Sequence, residues 1–371
     1  MKASAKFIDQ GQSEFFPVLR KKVNHYFKDN QITHYGNREM IIKSVVLVGA
    51  YLGAYLAVLL LSVNPWFLLP LAILMGVAMA GIGMSVMHDA LHGSYSSSSK
   101  VNRWVGYITY FIGASPFVWK IQHNIFHHTY TNIYGLDEDI KTKIVIRLSH
   151  HASLKWIHRY QHVYAFFLYG LNTLFFILSD LIKLLNYHRT GMILHQKSTL
   201  RAELIKLLFT KLSYLFFIVA LPILISPLLW WQVLIGILAM HLVAGYIVTL
   251  VFQMAHVVEG VDQPILNAEG DIENAWAVHQ LLTTANFARD NRFLNWYIGG
   301  LNYQIEHHLF PTICHVHYRR IAPIVEQTAQ EFHLRYQVMP TFTQGIHSHI
   351  QMLKSLGHPH HPVNAQPFTL W

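Results

Sequence analysis

Residues 44–92 read SVVLVGAYLGAYLAVLLLSVNPWFLLPLAILMGVAMAGIGMSVMHDALH. No Lys or Arg interrupts this stretch, and Asp89 is its one acid. Each half is about the ~20 residues that a bilayer core requires, and Asn64 with Pro65 breaks them apart. The pattern predicts a tight transmembrane hairpin, and its second arm runs straight into His88 and His92.

Composition agrees with a lipid solvent. Of 371 residues, 53% are hydrophobic and 13% charged, against ~25% charged in soluble domains. Mean hydropathy is +0.28. A second stretch without Lys or Arg, from Leu212 to Ala288, carries two more apolar runs around Pro227, with Trp230 and Trp231 marking an interfacial turn. The fold class is therefore all-α: a multi-pass membrane protein with four transmembrane helices in two hairpins. The spans are expected at about 44–63, 66–87, 212–231 and 234–255.

Charge sets the orientation. Arg20, Lys21, Lys22, Lys28, Arg38 and Lys43 precede the first hairpin, and Lys197, Arg201, Lys206 and Lys211 the second, whereas both hairpin tips are uncharged. The positive-inside rule puts both termini and the central segment in the cytoplasm, of a bacterial inner membrane or an endoplasmic reticulum. Residues 1–43 then form a cytoplasmic N-terminal segment without a cleavable signal, 44–345 the membrane domain, and 346–371 a cytoplasmic tail whose last stretch, GHPHHPVNAQPFTLW (357–371), reads as a loose end. The net charge of +9 is accounted for by topology and membrane lipids, with an acidic electron carrier as a second partner and no nucleic acid. The run at 163–185 is nearly long enough to span, yet Asn172, Asp180 and Lys183 are costly at membrane depth, so it is read as an interfacial helix.

This topology aligns the histidines. His88 and His92 are four apart, facing one side of a helix. IQHNIFHHTY (121–130) repeats the spacing with His123 and His127, and His128 lies one step round. The last span delivers His256, and YQIEHHLFP supplies Gln304, His307 and His308. Any one box is weak; four at one membrane face are a metal site in a cytoplasmic helical cap. Zinc takes four ligands or fewer, and calcium and magnesium prefer oxygen. Haem would leave most of these imidazoles unexplained, and the single Cys314 excludes a thiolate cluster. Two iron ions at about four nitrogens each account for number and pairing, and a di-iron centre with open positions points to O2 as co-substrate.

The order HxxxH, HxxxHH and QxxHH, threaded through two hairpins, resembles the membrane-bound fatty acid desaturases, from about Val45 to Tyr336. The glutamine in the third box, and the words HHTYTN, HRYQHVYA and LFPTICHVHY, are similar to the front-end branch (Δ5, Δ6, linoleoyl-CoA desaturase-like). The resemblance implies a histidine-ligated di-iron enzyme that uses O2 and two electrons to insert a cis double bond into a fatty acyl chain, CoA- or lipid-linked. It sets His256 in the place of an additional ligand found in animal stearoyl-CoA desaturases. Gln304 departs from histidine and can ligate directly, act through water or orient a neighbour. Many front-end relatives carry a fused cytochrome b5 with an HPGG motif, which is not found here; electrons are expected from a separate ferredoxin or cytochrome b5 and its reductase. Asp89, Asp137, Asp139 and Glu306 are candidate acceptors for imidazole N–H groups. His315 and His317 are candidates for supporting the site or, with Arg319 and Arg320, for meeting a headgroup or CoA phosphate. Gly76, Ala78, Ala80, Gly81 and Gly83 offer either room for an acyl tunnel or close helix packing. Two other readings stand beside this one: a di-iron hydroxylase or ketolase of lipids, alkanes or carotenoids, and a haem or metal transporter.

Overall fold

The computed structural model describes residues 5–60, 65–140 and 145–359, and the chain is almost wholly helical. Among these residues the named strands are one parallel pair, Asn286–Phe287 with Val338–Met339. Four helices are long and apolar enough to cross a bilayer: Arg38–Leu60, Leu68–His92, Leu200–Ile225 and Trp230–His256. They are the first to fourth spans below.

Their limits differ from the expected ones where polar residues find partners. The third helix begins at Leu200 because Thr199 caps it, accepting from the Ala202 amide, a contact worth about 1 kcal/mol. Buried Glu203 then accepts from Ser198 and Lys206, so charged residues occupy the first turns. This helix stops at Ile225, where Ser226 is extended and Pro227 follows. Trp230 and Trp231 consequently open the fourth span and do not belong to the third. The first span starts at Arg38, ahead of Ser44, and the second continues past residue 87 to His92, where Gly93 at φ 78° ends it. Asn64 of the expected turn lies outside the described residues; Pro65–Phe67 is a short 3-10 turn.

The second and fourth spans form the centre. A Cβ added to Gly76 would lie 2.5 Å from the Met240 carbonyl, the close approach that packs helices in a solvent as apolar as their side chains. Gly81 is similarly tight against Leu47 and Tyr297, whereas Gly83 opens onto space. The first and third spans flank this pair and turn Val45, Leu60, Leu208 and Phe209 outward. Trp66, Trp230 and Trp231 are exposed at the hairpin tips.

In place of one interfacial helix over 163–185 there are two, Gln161–Gly170 and Asn172–Arg189, bent by 76°. The bend is seated on the fourth span. A Cβ on Gly245 would come 2.3 Å from the Gly170 carbonyl, Thr173 donates to the His241 carbonyl (3.0 Å) and Asn172 donates to Thr249 (2.9 Å). Gly245 lies roughly 16 Å along the helix from His256. Both outer ends return to the histidine end of the bundle: Gln161 donates to the Leu353 carbonyl and Tyr187 to Glu138. The pair therefore dips in and comes back.

The cap covers that end. Helix Phe15–Asp29 buries Phe15, Leu19, Val23 and Phe27, one side chain per turn, against Tyr318–Glu331. Each contributes roughly 1.5–3 kcal/mol. The segment expected as a tail from residue 346 begins inside a helix that ends just before the stretch expected to be loose. Phe342–Leu356, opened by Thr341, buries His349, Leu353 and Leu356 beside Val257 and the first re-entrant helix. Residues 360–371 of that tail lie outside the described residues.

Candidate metal centre

Each histidine reaches the centre from a different element. The second span ends on His88 and His92, their rings 4.6 Å apart. The fourth span ends on His256. Gln304, His307 and His308 stand on the short helix Gln304–Leu309. Residues Ile121–His127 wind as a π-helix, with i→i+5 bonding, a geometry frequent at functional sites. In this winding His123 meets His128, with Nε2 atoms 3.3 Å apart, while nitrogens of His123 and His127 also stay within 4.8 Å of each other beside Asp139.

Two groups of nitrogens result. In one, ligand atoms of His88, His92, His123 and His307 all lie within 4.8 Å of one another. In the other, the same holds for His127, His256 and His308. His128 stands between them, with ligand atoms of His128, His307 and His308 all within 4.8 Å of one another. Gln304 joins the second group: its Nε2 lies 2.9 Å from His256 Nε2, and its Oε1 is buried without a partner.

The surroundings fix which nitrogen faces inward. His127 Nδ1 is 3.0 Å from Asp137, His308 Nδ1 2.8 Å from Gln280 Oε1, and His307 Nδ1 3.1 Å from the Tyr318 hydroxyl. With Nδ1–H engaged, the Nε2 lone pair is presented to the centre, the usual arrangement around a metal-bound imidazole. Nε2 of His88, His92, His127 and His307 is buried with no partner. So many orphaned acceptors, costly when left bare, could be satisfied together by cations. Burial, aided by neighbouring imidazoles, holds His128, His307 and His308 well below their usual pKa. Burial pulls His123 down to about 3, so these rings are neutral and able to ligate at pH 7. Against burial, Asp137 and then Asp139 hold His127 above its usual value.

The other predicted residues divide. Asp137 is fully buried and accepts from both His127 and the Asn132 amide (2.9 Å). Asp139 lies 3.6 Å from His123 Nδ1 and accepts from Gln122. Asp89 stands 3.7 Å from His88, beyond a hydrogen bond, and instead accepts from His315 Nδ1 (2.8 Å) and Cys314 Sγ (2.9 Å). His315 in turn meets buried Lys43 of the first span at 2.6 Å, so it supports the site from outside. Glu306 touches no imidazole. It accepts from Asn286 (2.8 Å) and Tyr336 (2.6 Å), and burial pushes its carboxyl up to about 7. His317 is remote from the nitrogens and donates to the Tyr35 carbonyl (3.0 Å), anchoring the segment before the first span.

Sequence reasoning missed Gln280, Thr131, Asn132 and Tyr318. Thr131 donates to Gln280 Oε1 (2.8 Å), and Asn132 Nδ2 to the His256 carbonyl (2.8 Å), stitching the second box to the fourth span. HHTYTN held two of these residues in plain view, but Gln280 in WAVHQLL carries no spacing signal.

A cavity of about 800 Å³ adjoins the centre, between the re-entrant pair and the second and fourth spans. Met79, Ala80, Gly83, Met84, Ala244, Val248 and Phe252 line it, and His88, His123 and Gln304 border it. Its size falls within the range of ligand sites.

Residues 64–340 match the family described as fatty acid desaturase. The chain belongs to that family. Among curated relatives, the desaturase is 36% identical to the sn-1 linoleoyl-lipid 6-desaturase of Synechocystis sp., over 92% of this chain and 95% of the relative. It is 36% identical to the acyl-lipid (8-3)-desaturase of Physcomitrium patens, over 96% of this chain and 74% of the relative. Delta(5) fatty acid desaturase A of Dictyostelium discoideum is 30% identical, over 95% and 76%. The desaturase is a membrane oxidoreductase acting on fatty acyl chains.

Proposed function

We propose that this desaturase is a front-end enzyme with a di-iron centre, placing a cis double bond between an existing one and the carboxyl end of an acyl chain, CoA- or lipid-linked. The observation that carries this reading is the pair of adjacent histidine groups with a largely apolar cavity of about 800 Å³ opening beside them at His88, His123 and Gln304. His88, His92, His123 and His307 would hold one iron, and His127, His256 and His308 the other. His128 would serve at the junction, and Gln304 at the second iron directly, through water or by orienting His256. When bound, the pair of irons supplies O2 activation with two electrons, for removal of two hydrogens from adjacent methylenes.

The chain's own residues do the rest. Met84, Val248 and Phe252 exclude water beside the histidines, where a reactive oxidant would otherwise be lost. Gly83 and Ala80 leave width for hydrocarbon. Asp137, Gln280 and Tyr318 hold the imidazoles so that the reacting carbons meet a fixed geometry. The two electrons would come from a ferredoxin or a cytochrome b5 and its reductase. The distribution of Lys and Arg supports a cytoplasmic site and termini.

The test is expression in a host without polyunsaturated fatty acids, fed saturated, oleic and linoleic acids, with double bonds located by gas chromatography and mass spectrometry. A new bond on the carboxyl side of an existing one is expected. A bond on the methyl side overturns the front-end assignment, and a product 16 mass units heavier moves it to hydroxylation.

A further inference from the structure

The cavity changes character along its length. Beside the spans it is hydrocarbon, but past His123 its wall is made of Gln122, Glu138, Asp139, Lys183 and Asn186. The carboxylates in this region already have donors. Asp180 accepts from Lys211 (2.7 Å) and the Ser115 amide (3.0 Å), Glu138 from Tyr187, and Asp139 from Gln122.

Lys183 differs. Its ammonium donates to Gln122 Oε1, lies 5.2 Å from the centre of the Phe176 ring, and forms no ion pair among the described residues. An ammonium has three donors, so two remain for the cavity that Lys183 lines. Asp139, Glu138 and Asp180 favour its charge from nearby without ion-pairing it, which keeps the ammonium protonated while its remaining donors are open to an acceptor in the cavity. An acyl chain linked to a lipid or to CoA brings one there, the carbonyl oxygen at its first carbon.

We propose that Lys183, steadied by Gln122, donates a hydrogen bond to the C1 carbonyl oxygen of the acyl substrate, whether ester or thioester. The proposal rests on the front-end reading and gives it a ruler. Gln122 adjoins His123 in the chain, their Cα atoms about 3.8 Å apart. Asp139 closes the same circuit, bonding Gln122 while lying 3.6 Å from His123. A chain held by its carbonyl at Lys183 reaches the histidines within its first several carbons. Its remaining length then runs past Met84, Gly83 and Val248. Desaturation is counted from the carboxyl end because that end is the one anchored.

The test compares wild type, Lys183→Met and Lys183→Arg in membranes of expressing cells, supplied with acyl glycerolipid or acyl-CoA, with iron content as the check on folding. Wild type should give one double-bond position, and the carrier turned over identifies the ester or the thioester as the source. Lys183→Met should keep its iron, raise KM about tenfold and spread the double bond over neighbouring positions, while Lys183→Arg restores a single position. An ether-linked lipid, which lacks the carbonyl, should reproduce the tenfold loss and the spread with the wild-type enzyme, so the test does not depend on a variant that folds. The same single product at unchanged KM from Lys183→Met, or from the ether lipid, overturns the anchor. A wild-type product on the methyl side of an existing double bond sinks the front-end reading instead, and leaves the comparison of ester with ether to judge the anchor.

Discussion

His127 and His128 are neighbours in the chain, yet His127 belongs to one nitrogen group while His128 stands between the two, where the π-winding of Ile121–His127 also brings it to His123. The boxes themselves were legible, because imidazoles four apart at span ends have few other uses. The assignment of each imidazole to a group was not, since a π-turn has no local sequence signature. His127→Ala is expected to abolish turnover and to lower bound iron from two per chain toward one, measured by metal analysis of the purified protein. Gln280 was invisible for another reason: its partners His308 and Thr131 lie 28 and 149 positions away in sequence. Gln280→Leu should keep the fold and weaken iron binding by ~10–100-fold, read as iron retained against a graded chelator. Retention equal to wild type would show that the His308 orientation is set by other contacts.

Among the elements, spans two and four were the easiest to read and the re-entrant pair the hardest. Asn172, Asp180 and Lys183 did signal that 163–185 is no ordinary span. Their partners Thr249, Lys211 and Gln122 lie far away in sequence, however, and those contacts decide how deep the pair goes. The third span began early for a similar reason, its charged first turns being satisfied by Ser198 and Lys206. Two glycines test this architecture. Gly83 has no atom within 4 Å of an added Cβ and lines the cavity. Gly83→Ala should be close to neutral, while Gly83→Leu narrows the chamber and shifts turnover toward shorter acyl chains, read from the product profile. At Gly245 even a methyl group would strike the Gly170 carbonyl, so Gly245→Val should unseat the bend and reduce both folded yield and activity, measured by size-exclusion profile in detergent.

For the molecule as a whole, the bundle and cap meet at a layer of imidazoles that the protein alone does not satisfy. Under the proposed metal centre, folding and metal binding would therefore be linked. A ligand at a thousand times its Kd adds about 4 kcal/mol to the folded state. Chelator-stripped protein should melt at a lower temperature in detergent and recover on adding ferrous iron under anaerobic conditions; identical melting curves would remove the link. The sequence showed a membrane bundle with a one-sided site, but it gave little of the cap. Helices such as Trp276–Leu282 and Gln304–Leu309 are too short to show a period, and Phe15–Asp29 finds its partner Tyr318–Glu331 some 300 residues later.

The re-entrant pair also gives the enzyme a handedness with respect to the membrane. Because that pair packs against Gly245 and both its ends return to the histidine end, the chamber it walls off lies in the half of the bundle nearer the imidazoles. Under the proposed function with a lipid-linked acyl chain, lipids of the adjoining monolayer would be the ones to slide in from the side, and the opposite monolayer would gain its double bonds second-hand, no faster than lipids cross over. One bend of 76° would then make the fluidity of the two faces of a membrane change in sequence.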